Sequence, residues 1–301
     1  MTDLTYDDRD GWIWFDGELV QWRDAKVHVL THALHYASSV FEGQRAYGGR
    51  IFKLSEHSQR LIDSARILGM DMPWSREEID DACNLVLAKA GYSECYQRPV
   101  AWRGSEQMGV AAQKTKTHLA IACWQWPDYF GDAAERGLRL NISPWRRPAP
   151  NTAPTKAKAS GLYMICTMAK HAAADAGFDD ALMFDWRGQV AEATGANIFF
   201  LKDGALHTPT PDCFLDGITR RTVIDLARAR GVKVVERAIW PEDLEFFEQA
   251  FLTGTAAEVT PIRSIGPWSF EVGQFVKDLR RDYLDAVYGR LPNALASERI
   301  G

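Results

Sequence analysis

Of the four Asp-Gly pairs in the sequence, Asp16-Gly17 and Asp203-Gly204 each lie between two short apolar runs, and no other feature constrains the fold as much. Two-residue turns of this type match the right-handed twist of antiparallel strands, so each pair predicts a β-hairpin. Parallel strands need crossovers of a dozen residues or more. Ile13 to Phe15 and Leu19 to Trp22 flank the first turn, and a strand at Ala196 to Leu201 leads into the second. Helical patterns lie between the hairpins. The pattern predicts two α+β lobes and argues against a doubly wound parallel sheet.

The helices are marked by their ends. Ser55 to Met70 is predicted helical, with Ser55 as N-cap, Gly69 near the stop, and Leu61, Ala65 and Leu68 facing inward. Ser75 and Glu78 have capping-box spacing and open a second helix that ends by Gly91. Strands follow near Cys95 to Trp102 and His118 to Trp124. Pro127, Gly131 and Gly137 then interrupt either pattern, which predicts a smaller domain over 1–126, an interdomain loop over 127–137 and a larger domain over 138–301. In the larger domain we expect strands at Leu138 to Ser143, Ala181 to Phe184 and Val232 to Val235. Helices are expected from about Ser160 to Ala176, from Thr219 to Arg230, and along Val272, Val276, Leu279, Tyr283 and Val287.

At 301 residues the chain has room for two ordinary domains. A net charge of -5 without a basic block argues against a nucleic-acid partner. No apolar run approaches the ~20 residues of a membrane span. Five scattered cysteines without a Cys-x-x-Cys pair argue against a disulfide framework or zinc ribbon and fit a reducing cytosol. The polar, acidic Met1-Thr2-Asp3-Leu4 is unlike a secretory or transit peptide, so the expected location is cytoplasmic. His28, His32 and His35 cluster, but no Cys or carboxylate completes a ligand set, and no metal is expected.

Phosphate-loop, dinucleotide and Gly-x-Ser-x-Gly patterns are absent. Two segments suit an anion or a close ligand: Gly217-Ile218-Thr219 at a helix start, and Gly254-Thr255-Ala256-Ala257 after Ala250-Phe251-Leu252. Each taken alone is equally an ordinary N-cap or turn.

Order along the chain adds more. Pro154-Thr155-Lys156-Ala157-Lys158-Ala159-Ser160-Gly161-Leu162-Tyr163 is followed by Glu192-Ala193-Thr194-Gly195-Ala196-Asn197-Ile198-Phe199. Asp216-Gly217-Ile218-Thr219-Arg220 and Thr253-Gly254-Thr255-Ala256-Ala257 come next. The first half holds His35-Tyr36-Ala37-Ser38-Ser39-Val40-Phe41-Glu42-Gly43 and His57-Ser58-Gln59-Arg60-Leu61. This series, from about Leu30 to Arg263, resembles fold-type IV pyridoxal-phosphate (PLP) enzymes. Tyr96-Gln97-Arg98, Met108-Gly109-Val110 and Arg45 resemble the branched-chain aminotransferases among them.

The resemblance implies a two-lobed fold like that of D-amino-acid aminotransferase, with pyridoxal 5′-phosphate between the lobes. It assigns Lys158 to carry the cofactor and move protons; composition cannot separate it from Lys156, whose alternative is a solvated loop charge. Tyr163 would meet the cofactor's phenolic oxygen and Glu192 its pyridine nitrogen. Arg60, Ile218, Thr219 and Thr255 would bind the phosphate, with Gly195, Asn197, Gly217 and Gly254 in the same cofactor-binding segments. Tyr96 and the amides of Ala256 and Ala257 would meet the substrate α-carboxylate. Phe41, Tyr36, Trp126, Tyr129 and Tyr163 would form the apolar wall, and Arg98, oriented by Tyr36, would take a γ-carboxylate. Arg45 and Val110 complete the pocket.

Some of these residues would come from a neighbouring subunit, implying a homodimer or higher homo-oligomer. The implied reaction is reversible amino transfer from L-leucine, isoleucine or valine to 2-oxoglutarate. The alternatives on the same fold are an (R)-amine or D-amino-acid transaminase, or an aminodeoxychorismate-type lyase. Gln44, Gly48-Gly49 and Leu162 depart from the pattern and leave side-chain preference open. A catalytically silent protein fits poorly with Lys158, Glu192 and Arg60 all being present.

Overall fold

The computed structural model describes residues 5–126 and 130–291. Strands β1 (Trp12–Phe15) and β2 (Glu18–Gln21) pair antiparallel around the first Asp-Gly turn, with Asp16 at φ 50° and Gly17 at φ 107°. The Asp16 carboxylate also accepts the Leu119 N–H at 2.8 Å, which ties the turn to a neighbouring strand. β3 (Ser39–Phe41), β4 (Gln44–Tyr47), β5 (Arg50–Ile51), β6 (Cys95–Arg103) and β7 (Thr117–Trp124) complete an antiparallel sheet. Its order is β2-β1-β7-β6-β4-β5, and β3 also pairs with β6.

Alternation along β6 gives this sheet two unlike faces. Gln97 looks toward the helices, where its amide donates to the Cys83 carbonyl at 2.9 Å and accepts from Gln44 at 2.5 Å. Tyr96, Arg98 and Val100 lie on the other face. Besides the short α1 (His32–Tyr36), the sheet carries α2 (Leu54–Ile67) and α3 (Arg76–Ala90). These bury Leu61, Ala65, Ile79 and Val86, and each large aliphatic side chain so buried contributes ~1.5–3 kcal/mol. Ser75 and Glu78 form the expected capping box, and Gly91 closes α3 at φ 70°. The start of α2 differs from expectation. Its N-cap is Lys53 at φ 50°, and Ser55 lies inside the helix with its hydroxyl donating to Asp80 at 2.6 Å.

A second sheet follows. It contains β8 (Leu138–Ile142), β9 (Asp180–Phe184), β10 (Val190–Ala193), β11 (Asn197–Lys202), β12 (Ala205–Pro209), β13 (Val234–Arg237), β14 (Gln249–Gly254), β15 (Glu258–Ile265) and β16 (Trp268–Ser269). Its order is β10-β9-β8-β15-β14-β11-β12-β13, with β16 on β15. β8 runs parallel to β9 and β15, and β12 to β13, while the other pairs are antiparallel. Leu138, Leu140, Leu182, Ile198, Phe200 and Leu252 form the centre of its core. Its helices are α4 (Ala133–Arg136), α5 (Met164–Asp175), α6 (Ile218–Ala229) and α7 (Gln274–Val287).

Several boundaries moved for local reasons. α4 occupies part of the expected interdomain loop. A 3-10 turn at Ser160–Tyr163 precedes α5. The strand expected from Val232 starts at Val234, because the Val232 N–H bonds back to the Ala227 carbonyl at 2.9 Å and closes α6. Among the described residues no helix is long and apolar enough to cross a membrane.

The chain is α+β and forms two compact units, one around each sheet. The first runs to Trp126 and takes in Ala157–Gly161; the second holds the rest. Lys158 was expected in the C-terminal domain, and the structure places its segment in the first unit instead. The Lys158 N–H donates to the Ser64 hydroxyl at 3.0 Å, its carbonyl accepts the Phe41 N–H at 3.1 Å, and Ala159 bridges to Val40.

Candidate active site

In the first unit, those two backbone bonds fix the origin of the Lys158 side chain. It is half-buried, with Nζ 4.9 Å from the centre of the Phe41 ring. Burial, followed by the Arg60 guanidinium, pushes its pKa down to about 8, against an opposing pull from Glu42. A lysine in that range supplies a neutral, nucleophilic amine near physiological pH. Lys156 is exposed and belongs to the other unit.

Arg60 and His57 project from one face of α2, three residues apart. Glu42, fully buried, accepts from Arg60 Nε at 2.6 Å, from Arg60 Nη2 at 2.8 Å, and from His57 Nδ1 at 2.7 Å. Burial alone would raise the Glu42 pKa, but Arg60 and then His57 hold it well below the usual carboxylate range. Burial also lowers the His57 pKa, so a neutral ring donates its Nδ1 hydrogen. A fork-like pair of this kind fixes the guanidinium in one orientation.

Tyr96 and Arg98 share the open face of the sheet. Arg98 Nη2 donates to the Tyr96 hydroxyl at 3.1 Å, and its guanidinium lies 4.5 Å from the Phe41 ring centre. Tyr96 stacks on Trp126 at 4.7 Å and packs against Trp124 at 5.4 Å. A Cβ on Gly43 would lie 2.0 Å from the Tyr96 hydroxyl, so this approach requires glycine. Arg98 Nε is buried and makes no hydrogen bond among the described residues. Arg45 pairs with Tyr96 across the strands and lies 5.0 Å from the Tyr47 ring.

Two other pocket candidates of this unit are not gathered with these: Tyr36 is exposed and packs on His32 at 4.6 Å, and Val110 is 87% exposed. The candidate Tyr129 lies outside the described residues. The three clustered histidines have separate partners: Leu30 N–H for His28, Gly109 and Ser38 for His32, and the Val29 carbonyl for His35.

In the second unit, Glu192 lies on β10. Its carboxylate accepts from Asn197 Nδ2 at 3.1 Å and lies 3.4 Å from Arg147 Nε. Asn197 also donates to the Leu215 carbonyl at 3.0 Å, which fixes its amide. Burial opposes the charge on Arg147, but Glu192, then Cys166 and Tyr163, more than offset it. Gly195 sits in the turn between β10 and β11, and Tyr163 lies at the start of α5.

Gly217 is the N-cap of α6, and a Cβ there would lie 2.3 Å from Asn197 Oδ1. Among the described residues no side chain caps this helix, and both Ile218 and Thr219 are buried in its first turn. That leaves amide donors suited to an anion. Gly254 ends β14, Thr255, Ala256 and Ala257 turn the chain, and Glu258 enters β15 at φ 51°.

Each unit by itself offers groups that fit pyridoxal phosphate. The first has a lysine with a depressed pKa and a fixed arginine. The second has a carboxylate held by Asn197 and Arg147, a tyrosine, and a helix start on a glycine that admits no side chain. Nothing in the sequence marked Arg147, and Glu42 and His57 carried no role. The three-residue spacing of His57 and Arg60, which sets both on one face of α2, is the sequence signal compatible with a shared partner.

Known proteins resemble this chain closely. The model of the amino-transferase class IV family matches residues 39–265. A branched-chain-amino-acid aminotransferase of Pseudomonas aeruginosa is 44% identical over 94% of this chain and 95% of its own length. Among solved structures, the Thermoproteus uzoniensis branched-chain aminotransferase with norvaline superposes at TM-score 0.91 and 36% identity, covering 95% of this chain and 98% of that one. The Thermobaculum terrenum branched-chain amino acid aminotransferase in its PLP-form gives TM-score 0.86 at 31% identity, covering 93% and 95%.

Proposed function

Since the chain belongs to the class IV aminotransferases, we infer that it is a branched-chain-amino-acid aminotransferase, moving the amino group of L-leucine, isoleucine or valine reversibly to 2-oxoglutarate. The observation that carries this reading is Lys158, pinned at its backbone and set against Phe41, with Arg60 held by Glu42 in the same unit.

Pyridoxal phosphate, when bound, supplies an aldehyde that exchanges amino groups and a ring that accepts the electron pair left at Cα. Lys158 would hold it covalently, then take the proton from the substrate Cα and return it as general base and acid. Glu192, beside Arg147 and oriented by Asn197, would hold a proton on the pyridine nitrogen. Tyr163 would bond the phenolic oxygen. Arg60 and the amides of Ile218 and Thr219, with Thr255, would bind the phosphate, and Gly195, Gly217 and Gly254 would let backbone come close.

The open face of the first sheet suits both substrates. Phe41, Tyr96 and Trp126 offer apolar surface to an aliphatic chain, while Arg98 offers one guanidinium to a γ-carboxylate. Tyr96 and the amides of Ala256 and Ala257 would take the α-carboxylate, with Arg45 and Tyr129 beside them and the exposed Tyr36 and Val110 completing the pocket of a neighbouring subunit. A homodimer is supported by exposed apolar residues at Val27, Val29, Leu30, Leu34 and Val110, and a reducing cytoplasm by five free, buried thiols.

The visible spectrum tests this. Adding L-leucine without a keto acid to cofactor-loaded protein should remove the lysine-bound band and leave the pyridoxamine band. A band that ignores L-leucine but responds to D-alanine or an (R)-amine would overturn the substrate assignment.

A further inference from the structure

We propose that His32 is a positioning residue for the substrate pocket, acting through the loop that carries Met108-Gly109-Val110; this rests on the assignment of Val110 to that pocket. His32 is 3% exposed, and both ring nitrogens are engaged. Nε2 lies 2.9 Å from the Gly109 carbonyl and Nδ1 lies 2.6 Å from the Ser38 hydroxyl. A carbonyl only accepts, so Nε2 carries the hydrogen, and in the neutral ring Nδ1 accepts from Ser38. The His32 backbone N–H donates to the Gly104 carbonyl at 2.9 Å. One residue thus fastens both the start and the tip of the loop between β6 and β7.

Below the tip the loop is tied across by the Lys114 N–H, which donates to Gln107 Oε1 at 3.0 Å, and it is fastened further at its stem. His118 Nε2 lies 3.1 Å from Glu106, which also accepts the Lys116 N–H at 3.1 Å. Arg103 donates to the Ala112 carbonyl and the Thr115 hydroxyl, each at 3.2 Å. These bonds set where the loop leaves and rejoins the sheet. The tip is set by the imidazole, against Gly109 at φ 105°, a conformation that side-chain-bearing residues avoid.

A histidine that merely filled space could be an aliphatic residue at no polar cost. This one uses each nitrogen on a different partner and stops the backbone one residue before Val110. Moving that carbonyl moves the valine with it.

Hydrogen exchange across 104–116 and the ratio of KM for leucine to KM for glutamate, both in the holoenzyme, test the proposal. In His32→Ala we expect exchange to quicken roughly three- to tenfold and the ratio to rise by a similar factor, with kcat for glutamate little changed. His32→Gln, which returns an N–H toward Gly109, should recover most of both. If His32→Ala does not fold, Ser38→Ala, which removes only the Nδ1 partner, should shift the same ratio by less.

Unchanged exchange and ratio in the foldable variants would overturn the proposal. Val110→Ala separates the two layers. A ratio indifferent to Val110→Ala removes Val110 from the pocket, whereas a ratio that responds to Val110→Ala but not to His32 variants removes His32 alone.

Discussion

Lys158 and its neighbours form a small charge balance in which each group sets the next. Glu42 neutralises Arg60 through two bonds, so the lysine meets a guanidinium whose field is partly cancelled. Burial and the residual Arg60 charge favour the neutral amine, which therefore gains population as pH rises through about 8. An ordinary lysine does so near ~10.4. Labelling of apoprotein Lys158 by a small aldehyde, trapped with borohydride and read by mass spectrometry, should follow that midpoint. Arg60→Gln removes a cation and leaves Glu42, so the midpoint should move upward. A wild-type midpoint at the ordinary lysine value would contradict the charge balance.

Single elements place the other groups. The start of α6 closes on Asn197 only because residue 217 has no Cβ, and Asn197 in turn holds Glu192. Gly217→Ala should push Asn197 aside, cost about 1–3 kcal/mol of stability and weaken cofactor binding roughly tenfold. Gly195→Ala, whose Cβ meets nothing within 4 Å, should change stability by no more than about 0.5 kcal/mol. Urea denaturation and cofactor titration of the apoproteins compare them, and equal losses would show that the close approach at Gly217 is irrelevant.

The same elements show what sequence can and cannot carry. The Ser75–Glu78 cap was legible because both partners lie within one turn. Ser55 was misplaced because its hydroxyl answers to Asp80, 25 residues on. β10 and β15 escaped notice because strands buried on both faces lose the alternation that marks them. Ordered motifs single out Lys158, Glu192 and Arg60 as candidates, whereas Arg147 touches Glu192 across a distance in sequence that leaves no local mark.

For the whole molecule, the exposed apolar residues matter most. Leu34, 63% exposed, lines a cavity of about 360 Å³ together with Val27, Val100 and Trp102. Patches of this kind mark contact surfaces. The wild type should sediment as a homo-oligomer and Leu34→Glu as a single chain; a wild type sedimenting as a single chain would remove the second copy from the account.

Chain order has a consequence of its own. The first unit borrows Ala157–Gly161 from beyond the start of the second. During synthesis, where domains tend to fold from the N-terminus, its sheet and helices can emerge early. The strand-like bridge from Val40 to Ala159, and the lysine beside it, arrive only after the ribosome has passed well into the next unit. A nascent or truncated chain ending at Trp126 therefore holds the arginine of this cluster and lacks its nucleophile. The lysine of this cluster, with its lowered pKa, is absent until more than half of the protein has been made.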